Sequence, residues 1–294
     1  MLRIGKENIK FSFDPAEKPV AVINSGEEVV FETLDCYAGQ ISADGMSPDG
    51  IDMTRNNPIT GPLYIKDAVP GDVLKIEVLE ILPLGDAVMC VREGKGIYGI
   101  PGFHCRRFPI REGKLLFDRG VQLPVKPMIG VIGTCPAERT IPQVPGEHGG
   151  NLDVKDLGAG CTLYLPVLVE GALLSVGDCH ALQGDGESAI CGAEMSAEVH
   201  LRITLCKEKR ELPTPFLETE KEIMTMAAAE TLDEAALTAA QNMHLYLTRT
   251  AGLTQTQAAM LLSLVGDIRI SQVVNPKKGC RMSLAKEYIA GLQG

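Results

Sequence analysis

The stretch Glu194-Met-Ser-Ala-Glu-Val-His-Leu-Arg-Ile-Thr-Leu205 decides the fold class. Successive side chains of a strand point to opposite faces. Met195, Ala197, Val199, Leu201, Ile203 and Leu205 therefore share one apolar face, while Glu194, Ser196, Glu198, His200 and Arg202 share a polar one. That spacing predicts a long, half-buried strand and excludes a helix, whose apolar residues would recur every three or four positions.

The same period runs through most of the first 210 residues. Asp72 to Leu82 alternates after the turn Pro70-Gly71. Residues 161–176 read as two buried strands broken at Gly171, and Lys18–Thr33 reads as a hairpin around Asn24-Ser25-Gly26. Beyond Pro213-Thr214-Pro215 the period changes. Thr231 and Glu234 form a capping-box signature, and Leu232, Ala236, Ala239, Met243 and Leu247 follow at helical spacing. A second helix is expected from Thr254 to Gly266 and a last short one after Ser283. The expected architecture is mainly β with α+β parts: a β-sandwich-like body over 1–212 and a helix-bearing α+β section over 213–294, packed as one functional unit.

Composition narrows the function classes. With 45% apolar and 22% charged residues, a packed core is expected. The net charge of −10, and basic runs no longer than pairs such as Arg106-Arg107, argue against nucleic-acid binding. The longest apolar run, around 258–265, is too short to cross a bilayer, and the polar amino terminus lacks a signal-peptide core. Nine scattered cysteines without a C-x-x-C pair point to reduced thiols, hence to the cytoplasm.

The chemistry-bearing stretch is Gly177-Asp-Cys-His-Ala-Leu-Gln-Gly-Asp-Gly-Glu187, which allows a polar surface turn, a bound cation or a catalytic centre. Gly94–Gly99 fits G-x-G-x-x-G, but Pro101-Gly102 follows where a nucleotide-binding helix would start, so it reads as a glycine-rich loop. Cys179 is adjacent to His180 and would point away from it on an extended segment, which makes a thiol nucleophile the weaker option. A second glycine-rich stretch carries His148, Asn151 and Asp153. Asn151/Asp153, Asp178/His180 and Asp185/Glu187 are i, i+2 pairs able to surround one ion. Mixed nitrogen and oxygen ligands suit zinc, manganese or iron. Glu187, long and next to Gly186, suits proton transfer, with Asp185 beside it as the other candidate catalytic carboxylate.

These residues resemble those of the acetamidase/formamidase family. The matching pieces are Thr33-Leu-Asp35, Gly39-Gln40-Ile41, Asn57–Pro62, Pro70–Leu74, His148–Asp153, Leu165-Pro-Val167, Gly177–Glu187, Glu194 and Gly266–Gln272. Position 179, often glycine in that family, is cysteine here. The resemblance implies hydrolysis of short linear amides to a carboxylate and ammonia, a divalent metal that is commonly zinc, and a cytoplasmic homodimer or larger homo-oligomer. It implies metal ligation by Asp153, Asp178 and His180, with Asp35 and Glu194 either binding the ion or orienting its ligands. It also places His148, Asn151 and Gln183 against the substrate and Glu187 as the acid/base. The competing expectation is a metal-stabilised β protein that binds a small ligand without turnover.

Overall fold

The computed structural model describes residues 1–209 and 211–291. Two sheets face each other. The first contains nine strands in the order Leu2–Ile4, Glu27–Thr33, Ala197–Cys206, Val73–Pro83, Thr162–Pro166, Phe216–Glu218, Glu222–Ala229, Lys278–Ala285 and Asp267–Gln272. The second runs Gly149–Asn151, Met128–Gly133, Leu174–His180, Glu194–Met195, Ala87–Arg92 and Phe103–Phe108. Strand Ile59–Ile65 branches from Leu174–His180 and also pairs with Ile9–Lys10 and Ala21–Ile23. Side chains of both inner faces form the main core, with Val29, Phe31, Leu74 and Leu201 meeting Leu63, Ile129, Leu174 and Val176. That is the sandwich the alternation calls for.

The long strand of residues 194–205 is interrupted. Ser196 separates Glu194–Met195, in the second sheet, from Ala197–Cys206, in the first. Ala197, Val199, Leu201 and Ile203 are buried as the period requires, but Glu194 is only 1% exposed. The chain changes sheets there and carries a residue of the apparent polar face into the interior.

Two other expectations are corrected. The runs around Asn24-Ser25-Gly26 do not pair with each other: Ala21–Ile23 joins the second sheet and Glu27–Thr33 the first. The Gly26 N–H donates to the Ile203 carbonyl, so the turn carries the chain between layers. After Ser283 the chain stays extended to Ala285, followed only by the single turn Lys286–Tyr288, because Lys278–Ala285 pairs along its whole length with Glu222–Ala229.

Both expected helices are present. Leu232–Arg249 and Gln255–Val265 each start with a complete capping box, from Thr231 and Thr254. Ala239, Met243 and Leu247 pack with Phe216, Ile223 and Leu284, covering the outer face of the sheet's second half. The strands of 213–294 extend the first sheet from Thr162–Pro166 onward, so this section shares its backbone ladder with the preceding residues. No helix among the described residues is long and apolar enough to cross a membrane.

Candidate active site

Strand Met128–Gly133 brings the two glycine-rich stretches together. It pairs on one side with Gly149–Asn151 and on the other with Leu174–His180. Gly130, between them, leaves the room: a Cβ there would meet the Asp178 carbonyl at 2.5 Å and Asp153 Oδ1 at 2.7 Å. On the opposite flank of Leu174–His180, His180 is directly across from Glu194.

The result is a buried cluster around the His180 ring. Its Nε2 lies 3.0 Å from Glu194 Oε1 and 3.6 Å from Asp178 Oδ1. Asp153, His180 and Glu187 each place one ligand atom within 4.8 Å of the others, as do Cys36, Asp178 and Glu194. Asp153, Asp178 and Glu187 have φ of 48°, 53° and 45°, the left-handed region that side chains avoid. Such backbone persists only where surrounding structure fixes it, and it clusters at functional sites.

Hydrogen bonds orient the atoms of the cluster. His180 Nδ1 is 2.7 Å from Gln183 Oε1, so that nitrogen donates and Nε2 faces the carboxylates, where a cation would replace its proton. Gln183 Nε2 donates to the Asp153 carbonyl at 2.8 Å, committing the whole amide group. Asn275 donates to Asp153 Oδ2 at 2.6 Å and Asn57 to Asp178 Oδ2 at 3.3 Å. The other oxygens, Asp153 Oδ1, Asp178 Oδ1, Glu187 Oε2 and Glu194 Oε2, are buried without a hydrogen-bond partner, and so is His180 Nε2 despite its closeness to Glu194.

Charge shows why that arrangement could hold a cation. Burial, then the Asp178 charge, raises Asp153 to about 6. Burial and Asp153 push Glu187 well above the ordinary carboxylate range, and burial raises Glu194 as well. Burial works to lower His180, but the Glu194 and Asp178 carboxylates outweigh it and raise the ring well above its usual value. Buried, unpaired carboxylate oxygens converging on an imidazole nitrogen fit a divalent ion of the zinc, manganese or iron type.

The remaining residues are placed as follows. Asp35 Oδ1 accepts from the Tyr37 and Gly39 amides at 2.9 and 3.2 Å, closing its own turn, and burial raises its pKa. The next residue, Cys36, is the one that joins the cluster. Asp185 pairs at 2.8 Å with both Arg281 and Lys155 and has no atom in either ligand group. His148 is buried edge-on to Phe13, with ring centroids 5.3 Å apart. Asn151 lines the cavity above the cluster, with Oδ1 unpartnered. Cys179 packs behind the strand against Thr33, and burial pushes it to about 12, leaving no thiolate at neutral pH. Sequence reading missed Cys36, Asn57 and Asn275. Only the asparagines had a visible signal, since each precedes a proline.

A cavity of about 280 Å³ opens onto Asp178, Glu187 and Glu194. Comparison with known proteins fits this geometry. The chain superposes on the crystal structure of an acetamidase from Bacillus halodurans with a TM-score of 0.96 and 45% identity, covering 100% of both chains. A formamidase of Methylophilus methylotrophus is 26% identical over 64% of this chain, and an acetamidase of Mycolicibacterium smegmatis is 27% identical over 64%. The chain spans 62% and 63% of the length of these two curated relatives. Residues 5–107 and 135–286, which include the whole cluster, match the Acetamidase/Formamidase family, and the chain belongs to that family.

Proposed function

We propose that this protein hydrolyses short linear amides to a carboxylate and ammonia with the help of one or more divalent metal ions, zinc first among the candidates. The observation that carries this reading is the set of buried, unpartnered ligand atoms around His180 Nε2. Asp153, Asp178, His180 and Glu194 would hold the ion, and Cys36 is a further donor on the Asp178–Glu194 side. When bound, the metal would polarise the amide carbonyl and acidify water at neutral pH.

Each remaining step has a residue. Glu187 faces the cavity, and burial keeps its proton beyond the ordinary carboxylate range. Beside a bound cation, which favours its ionised form, it is suited to take a proton from the attacking water and return it to the leaving nitrogen. Gln183 keeps the imidazole in one tautomer, and Asn57 and Asn275 hold two carboxylates in place. Asn151, with a free carbonyl oxygen at the cavity wall, is placed to accept from a substrate amide N–H. Nine unpaired, buried cysteines support a cytoplasmic location as part of this reading, and the family resemblance supports a homodimer or larger homo-oligomer.

Elemental analysis with an ammonia-release assay tests it. Chelation should abolish turnover of formamide and acetamide, and zinc or manganese should restore it; full activity in metal-free protein would contradict the mechanism. Glu187→Gln should keep the metal and lose roughly 10²- to 10⁴-fold in kcat. Undiminished kcat in that variant would remove Glu187 from the proton-transfer role, and a metal-loaded wild-type protein that binds amides without turnover would point instead to a metal-stabilised binding protein.

A further inference from the structure

The glycine-rich loop 94–99 takes no part in the chemistry above, yet it is bound to the motif loop. The Ile97 N–H donates to the Ser188 carbonyl at 3.0 Å, and the Tyr98 hydroxyl is 2.8 Å from Ser188 Oγ. A Cβ on Gly96 would meet that carbonyl at 2.8 Å, so glycine permits the approach. Ser188 follows Glu187, and the loop is thereby fixed at the rim of the cavity.

The loop and the strand before it bring two cations to that rim. In strand Ala87–Arg92, Val88 pairs with Glu194, and Cys90 and Arg92 follow on the same face. Cys90, Arg92 and Lys95 all line the cavity, whereas Met89, on the other face, lines a separate pocket. Arg92 starts about 13 Å along the strand from the residue opposite Glu194, and its side chain covers part of that distance. Neither Arg92 nor Lys95 forms an ion pair among the described residues, while Arg202 and Arg269 on other surfaces do. The adjacent Glu93 accepts from the Gly102 amide at 2.9 Å instead. The cavity, about 280 Å³, is also far larger than formamide or acetamide fills and lies near the lower end for drug-sized ligands.

Building on the amide-hydrolysis reading, we propose that the preferred substrate is an amide bearing an anionic group several bonds from the carbonyl, with Arg92 and Lys95 binding that anion. The amide sits at the cluster, and the charged end reaches the loop. Water adds to the carbonyl carbon, the C–N bond breaks, and the nitrogen leaves with the proton returned to it. The anion is a spectator that positions the substrate. It can lie on the acyl side, as in monoamides of dicarboxylic acids, or on the nitrogen side, as in N-formyl amino acids.

Steady-state kinetics of the metal-loaded protein with succinamate, N-formylglycine, butyramide and acetamide tests this and separates the two sides. One anionic substrate should exceed butyramide in kcat/KM by roughly tenfold or more, the gain expected from partly screened charged hydrogen bonds. The Arg92→Gln/Lys95→Gln variant should lose that advantage through KM, with kcat and acetamide turnover within about twofold, and the wild-type preference should shrink with added salt. Equal turnover of succinamate, N-formylglycine and butyramide, or a variant that slows all four substrates in parallel, overturns the proposal. If no amide is hydrolysed, the catalytic reading fails, and calorimetry decides the anion site. Succinate or N-formylglycine binding that the variant abolishes sustains it; wild-type binding no tighter than that of neutral butyramide overturns it.

Discussion

Gly130 and His148 show how single residues set the conditions for the cluster. The Gly130 position is opposite two carboxylates with no space for a methyl group. Gly130→Ala should displace Asp153 or Asp178, cost about 1–3 kcal/mol by overpacking, and lower the bound metal in elemental analysis while circular dichroism keeps its β signal. Wild-type metal content would place the cation elsewhere. His148 governs acid stability instead. Burial, joined by the Lys277 charge, pushes its ring from 6.5 down to about 4. As pH falls through 6.5 the unfolded chain protonates this ring and the native one does not, so stability is lost between pH 6.5 and 4 and is level above it. The loss is on the order of 3 kcal/mol. His148→Gln should remove that share, read as a smaller shift of the urea midpoint between pH 7 and pH 4. An unchanged shift would mean that the ring protonates freely in the fold.

At the scale of elements, the motif loop is pinned from the carboxyl-terminal section. The Gly186 N–H donates to the Ser271 carbonyl and the Val273 N–H returns a bond to Gly186, at 3.0 and 3.1 Å. Arg281, wholly buried in strand Lys278–Ala285, binds Asp185 and Asp156, both at 2.8 Å. Removing one partner of a buried pair leaves an uncompensated charge. Arg281→Met removes the partner of Asp156 and leaves Asp185 with Lys155 alone, both carboxylates partly exposed, so it should destabilise by about 1–3 kcal/mol and weaken metal retention as the loop loosens. A thermal melt and metal analysis of the same sample check both, and an unaltered melt would refute the pinning role. Asp185 thus has a structural partner that its position beside Glu187 concealed. The sequence showed the long alternating strands and the two capped helices, because periods of two and 3.6 and capping boxes are local, but not the strand that runs through Ser283 where a helix was expected. It also showed that 148–153 and 178–187 carry ligand-type side chains. It did not show that Ser196 ends one strand and sends Glu194 to the other sheet, or that Cys36 outreaches Asp35. Both depend on layer changes that leave no periodic trace.

For the whole molecule, the shared ladder matters more than any boundary near residue 213. The first sheet is continuous from Leu2–Ile4 at one edge to Asp267–Gln272 at the other, and the second sheet supplies His180 and Glu194 from its middle. Asn275, close to the chain's end, holds Asp153, while Cys36 and Asn57 arrive from its beginning. That arrangement has a temporal consequence. Pairings between distant parts of a sequence form late in folding. A chain still emerging from the ribosome at residue 260 has every acidic ligand and the imidazole outside, but lacks the asparagine and the strand that fix them. Nascent protein should therefore have little affinity for the ion until Asn275 and strand Lys278–Ala285 have been synthesised.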